Sequence, residues 1–157
     1  MGEAASVDYA AAADYPAKLK ALILEGGYMP QQVFNVDETG LFWKRMPNRT
    51  FISKEGRQAP GFKAAKDRIT LMLCSNAAGD FKLKPLAVYH SRNPRAFKGL
   101  SVETLPVHWR SNKKGWVTSS IADNWLISCF TNEYERYCRR ENISFKALIL
   151  MDNAPSH

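Results

Sequence analysis

Two carboxylates in this chain stand where chemistry could be done. Asp37 follows Val33, Phe34 and Val36, and Asp152 follows the unbroken apolar run Ala147–Met151. β-Branched and aromatic residues that end in a polar turn read as a strand. A continuous apolar run reads as a strand covered on both faces. If the two strands lie side by side and parallel, about 4.8 Å apart, both acids leave the sheet at one edge. Like charges that close repel unless a cation stands between them. Hard oxygen ligands suit Mg²⁺ (or Mn²⁺), which takes one or two carboxylates and completes its shell with water and substrate phosphate. A metal held there would activate a water or a 3′-hydroxyl and stabilise charge on the phosphate under attack. The competing reading is local: Asp37 caps the turn into Glu38-Thr39-Gly40, and Asp152 the turn into Asn153-Ala154-Pro155. Spacing alone leaves the two readings level. Glu38 points to the opposite face of a strand from Asp37 and is not assigned as a ligand.

The elements that must position these acids can be read from periodicity. Residues 4–25 are Ala-rich, with Leu19, Leu22 and Ile23 on one face and Gly26-Gly27 as the stop, so they predict a helix. Val33 to Val36 predicts the first strand, ending at Asp37. Leu41-Phe42-Trp43 and Thr50-Phe51-Ile52 flank a Pro47-Asn48 turn signal and predict a hairpin. Ile69 to Cys74 and Leu83 to Tyr89, joined by the turn Asn76–Asp80, continue an antiparallel meander. Ser91 to Gly115 is polar and reads as loop. Ile121, Trp125, Cys129, Phe130, Tyr134, Tyr137 and Cys138 then recur at mostly three- and four-residue intervals, an amphipathic helix with Ser120 and Asp123 as a capping pair. A right-handed crossover through that helix would bring the closing strand beside the first and parallel to it.

With 157 residues, 45% of them hydrophobic, the chain can bury a core of its own. The net charge of +7 is uneven: residues 41–118 carry +12, against −4 before them and −1 after. A basic middle suits an anionic partner, most simply nucleic acid, and equally describes a solvated surface. Within it, Lys63, Lys66 and Arg68 precede a strand and could face a DNA backbone. The stretch HWRSNKKGW interleaves Trp109 and Trp116 with Arg110, Lys113 and Lys114, as a loop that stacks on bases and holds phosphates would. Tryptophans in such places also serve as core anchors. Three cysteines with no C-x-x-C pair argue against a disulfide framework or zinc ribbon. No run of 18 apolar residues exists, which predicts no membrane-spanning helix.

The stretches VFNVDETGLFWKRMPNRTFISKEG, PGFKAAKDRITLMLCSNAAGDFKLKP and LILMDNAPSH resemble the Tigger branch of the pogo transposase family, whose nuclease domain is of the DDE type with a ribonuclease H-like fold. The resemblance runs from about Glu3 to His157 and rests on several long motifs. It implies that Asp37 is the first catalytic and metal-binding carboxylate and Asp152 the second. It also implies supporting places for Asn153 and His157 beside the second, Mg²⁺ or Mn²⁺ as cofactor, DNA as partner, and a nuclear location. Two departures from the family pattern bear on function. There is no room before Glu3 for the helix-turn-helix region that reads transposon ends. The third carboxylate, expected a few tens of residues after the second, lies beyond His157.

The fold expected is therefore α/β, a mixed α+β sheet of ribonuclease H-like type, truncated before its last strand and helix. A helical segment over residues 1–30 would lead into a partial DDE endonuclease domain over residues 31–157. The expected function is a transposase-derived DDE endonuclease domain that binds DNA, with Mg-dependent phosphodiester cleavage and strand transfer in its ancestry. By itself it would be catalytically incomplete for want of the third acid. The alternative is a non-catalytic domesticated DNA- or chromatin-binding module, or an expressed remnant without function. An unpaired sheet edge would call for an oligomer or a partner to complete it.

Overall fold

A computed structural model of the chain describes residues 9–43 and 67–152. Helix α1 (Tyr9–Gly26) leads through a short 3₁₀ turn into β1 (Val33–Leu41). Strands β2 (Ile69–Asn76), β3 (Leu86–Tyr89) and β4 (His108–Ser111) follow. Helix α2 (Ser119–Trp125), a π-helical turn (Leu126–Phe130) and α3 (Thr131–Glu141) then run without a break, before the closing strand β5 (Leu148–Leu150). The five strands form one mixed sheet in the order β4-β3-β2-β1-β5. β1, β2 and β3 are the expected antiparallel meander, whereas β4 pairs parallel to β3 and β5 parallel to β1. The expected hairpin past Trp43 lies outside the described residues.

Three expectations about elements are corrected. β1 does not end at Asp37 but continues through Glu38, Thr39 and Gly40 to Leu41. Those residues have weak strand propensity; the extension follows from β2, whose Ile69 to Met72 supply a ladder for Leu41 back to Glu38. The polar stretch read as loop contains β4. Its residues are not apolar, but the strand satisfies them: His108 Nε2 lies 2.5 Å from Glu133 Oε1 of α3, and Arg110 donates through Nε and Nη2 to Asn124 Oδ1 of α2 at 3.3 and 3.0 Å. The amphipathic helix is present, but its N-cap is Thr118 rather than Ser120, and the π turn interrupts it. There the Ser128 hydroxyl donates back to the Asn124 carbonyl and the Thr131 hydroxyl to that of Ile127, local bonds that compete with a regular helix.

The helices cover one face of the sheet. Alternation along β1 sends Phe34 and Val36 into that core and leaves Asn35 and Asp37 on the other face. Phe34 is wholly buried, with the rings of Tyr134 and Phe130 edge-on at centroid distances of 4.9 and 5.1 Å. Met72, Leu86, Val88, Trp125 and Tyr137 complete the layer. All three cysteines are reduced and buried. Among the described residues no helix is long and apolar enough to cross a membrane.

A polar knot fixes the β2–β3 turn to α3. Asn76 Nδ2 donates to Asp80 Oδ1 at 2.7 Å, and the Tyr137 hydroxyl donates to both Asp80 oxygens at 3.0 Å. Asn76 Oδ1 accepts from the backbone N–H groups of Gly79 and Phe81. Donation from Asn76, joined by a lesser contribution from Tyr137, holds the Asp80 carboxyl below its ordinary range against burial, the second-largest effect. Burial, reinforced by Asp80, pushes the Tyr137 phenol up to about 12.

Two outcomes follow. Phe34→Ala removes a ring that the sheet and α3 enclose and destabilises the chain by about 3–5 kcal/mol, read from urea unfolding. The folded-state pKa of Asp80 lies below its unfolded value of 3.8, so its contribution is fully present above that pH and is lost as pH falls through the lower folded value. Asp80→Asn therefore flattens the acid limb of a stability–pH profile measured between about pH 2 and 5.

Candidate active site and nucleic-acid face

The parallel register of β1 and β5 decides where the two acids stand. Val33 is level with Leu148, Phe34 with Ile149 and Asn35 with Leu150. β5 ends at Leu150, two residues before Asp152; the same offset carried on would bring Asp152 level with Asp37. Alternation turns Asp37 away from the helices, and Asp37 and Asp152 are both exposed. The antiparallel partner of Asp37 on its other side is Leu73. Asp37 is thus a mid-strand residue rather than a strand end; its Oδ1 accepts from the Glu38 N–H at 2.8 Å.

A cleft of about 860 Å³ runs past Asp37, lined also by Asn35, Lys82, Lys84 and Glu133. Lys82 and Lys84 come from the KLKP segment, where Leu83 is buried and its basic neighbours turn outward. Their alternation with a buried leucine was the signal that sequence reading passed over. Glu133 is committed elsewhere: Oε2 accepts from the Lys84 backbone N–H at 3.0 Å, and Oε1 meets His108. Burial, followed by the charge of Glu133, pushes the nearby Cys74 thiol up to about 12, so it is no nucleophile. Among the described residues no three of His, Cys, Asp and Glu gather as a metal-holding group. The exposed carboxylates of Asp37 and Asp152 are hard-oxygen donors of the kind Mg²⁺ takes one or two of.

The basic and aromatic candidates divide between the two faces of the sheet. In β4, Trp109 projects to the open face of Asp37, while Arg110 turns to the helix side and is tied to Asn124. HWRSNKKGW is therefore a strand followed by a turn, not one binding loop. Asn112 Oδ1 accepts three backbone N–H groups, those of Lys114, Gly115 and Trp116, and leaves Lys113 and Lys114 exposed. Gly115 has φ +65°, and a Cβ there would meet the His90 backbone nitrogen at 3.2 Å. Arg68 stacks over the exposed Trp116, its guanidinium carbon 4.2 Å from the ring centroid. Lys63, Lys66, Asn153 and His157 lie outside the described residues.

The family model described as DDE superfamily endonuclease matches residues 66–157, more than half of the chain. The chain belongs to that family. The human Jerky protein homolog is 38% identical over 157 residues, 99% of this chain and 27% of that protein. Human Tigger transposable element-derived protein 7 is 33% identical over 144 residues, 89% of this chain and 26% of that protein. This DDE endonuclease chain is thus of the Tigger/pogo type and spans about a quarter of the length of these relatives. Its sheet, with β5 parallel to β1 beside an antiparallel meander, is the mixed α/β sheet expected. Among solved structures, the Mos1 transposase paired-end complex with left transposon end aligns with a TM-score of 0.44 at 14% identity, covering 90% of this chain and 34% of that one.

Because both acids are exposed and sit outside the core, Asp37→Asn and Asp152→Asn leave the unfolding free energy within about 0.5 kcal/mol of wild type, as denaturant titration reads it.

Proposed function

We propose that residues 31–157 of this chain form a DDE endonuclease domain in which Asp37 and Asp152 hold Mg²⁺ or Mn²⁺ against a DNA phosphodiester, with residues 1–30 a separate leading helix. The reading is supported by the parallel β1–β5 pairing, whose offset, continued two residues past Leu150, would bring Asp152 level with the exposed Asp37. When bound, the metal supplies an activated oxygen nucleophile and offsets charge on the phosphate. The two carboxylates fix the ion, Asn35 and Lys82 flank the approach, and the exposed lysines along the cleft attract the backbone. A two-metal centre uses a further acid besides this pair, so the proposed pair by itself would bind metal and DNA without completing in-line cleavage. The nucleus, where DNA is met, is the location this reading requires.

The experiment is a titration of Mn²⁺, followed by its paramagnetic signal, into wild type and Asp152→Asn. Wild type binds about tenfold or more tightly than the variant; equal affinities would sink the site. The basic excess of residues 41–118 favours a second reading, a module that holds DNA with the acids idle. The two part on DNA affinity measured with and without chelator. Under the first, chelator weakens binding; under the second, affinity falls with salt and ignores chelator. Under both, Lys82→Ala weakens binding to all sequences alike and lowers the salt slope by about one.

A further inference from the structure

The open face holds a second concavity. A cavity of about 640 Å³ lies where β2 begins and β3 ends, walled by the rings of Trp43, Tyr89, Phe97 and Trp109. Register places it on the face of Asp37. Trp109 is level with Ala87, Ala87 pairs with Leu71, and Leu71 lies two residues along β2 from Leu73, the partner of Asp37. Ile69, at the cavity floor, is four residues from Leu73, about 13 Å along the strand.

The rings are held in place by contacts around the cavity. Trp109 Nε1 donates to the Arg92 carbonyl at 3.0 Å, and Phe97 meets the indole edge-on at 4.7 Å. The Tyr89 hydroxyl donates to Asp67 Oδ2 at 3.1 Å, and His90 Nδ1 lies 3.5 Å from Asp67 Oδ1. Trp43 keeps half of its surface exposed. Arg95 is at the rim, and Arg92 and Lys98 stand exposed on the same connecting segment.

We propose that this cavity receives a single unstacked nucleobase of the strand whose backbone crosses Asp37 and Asp152. Aromatic walls offer π faces on which any base stacks, and the half-exposed His90 ring gives a polar edge. The cavity has room for a base with its sugar and is too small for a duplex. The basic rim suits a phosphodiester strand and disfavours a cationic ligand such as a methylated lysine, which aromatic walls would otherwise suit. The distance of about 13 Å along β2, with the lateral offset between strands added, places the held base at least about four stacked nucleotides from the phosphate at the acid pair. The placement of the strand rests on the proposed function; the capture of a base does not.

The test uses the 157-residue chain and a single-stranded oligodeoxynucleotide in which one abasic site is walked from end to end. Wild type loses about tenfold in affinity when the abasic site reaches one position, and Trp43→Ala and Phe97→Ala abolish that penalty. Asp152→Asn keeps it. An RNA of the same sequence showing the same penalty also supports base capture. A uniform penalty along the strand, the same penalty in both ring variants, or no binding of single strands would overturn the inference. So would displacement of the oligonucleotide by a trimethyl-lysine peptide. If the penalty is found while Asp152→Asn binds Mn²⁺ as wild type does, the metal site falls and the base pocket stands. If the metal result holds and the penalty is absent, the pocket alone falls.

Discussion

The register between β1 and β5 is the constraint on which the site depends, and a buried amide helps to set it. Gln32 is almost wholly buried just before β1; its Nε2 donates to the Ser144 carbonyl at 3.0 Å and to the Ser144 hydroxyl at 2.9 Å, just before β5. The Tyr134 hydroxyl holds the same segment through the Lys146 carbonyl at 2.8 Å, and the Lys146 ammonium reaches back to the Gly26 carbonyl over the Tyr28 ring. These bonds offer few alternative pairings. A slip of one residue would turn Ile149 out of the core and Asp152 toward the helices, so core packing and acid placement are specified together.

The two faces of the sheet have opposite duties. On one, α2, the π turn and α3 seal Phe34, Met72, Leu86 and Val88 from water, and even the polar side chains of β4 find partners on the helices. On the other, Asp37, Leu73, Lys82 and the ring-lined cavity remain open. Exposed apolar residues such as Leu73 and Trp43 are an odd expense on a face with no other use, and they lie between acids and lysines. A face of this kind suits a polyanion that carries flat apolar bases, since it offers charge and ring surface together.

The sequence made the strands of the meander legible because their apolar residues alternate with period two, and the long helix legible because its aromatic residues recur with period near 3.6. It hid β4. His108, Trp109, Arg110 and Ser111 carry no strand pattern, and they pair with β3 only because Glu133 and Asn124 satisfy their polar groups from the helices. It hid the second half of β1 for a similar reason, since Glu38 to Leu41 borrow their strand from β2. The mixing of Trp109 with Arg110 and Trp116 in one motif was a one-dimensional reading; the pleat sends alternate residues to opposite faces.

Two acids at the ends of two apolar segments, a basic middle and a set of long motifs were fixed by residue order, and they suffice to identify the family. Their relative placement was not. Asp37 and Asp152 are more than a hundred residues apart, and nothing local chooses between a level pair and acids turned to opposite faces. That choice belongs to the crossover helix and the buried contacts of Gln32 and Phe34, which select one register because only one puts Ala147 and Ile149 against the core.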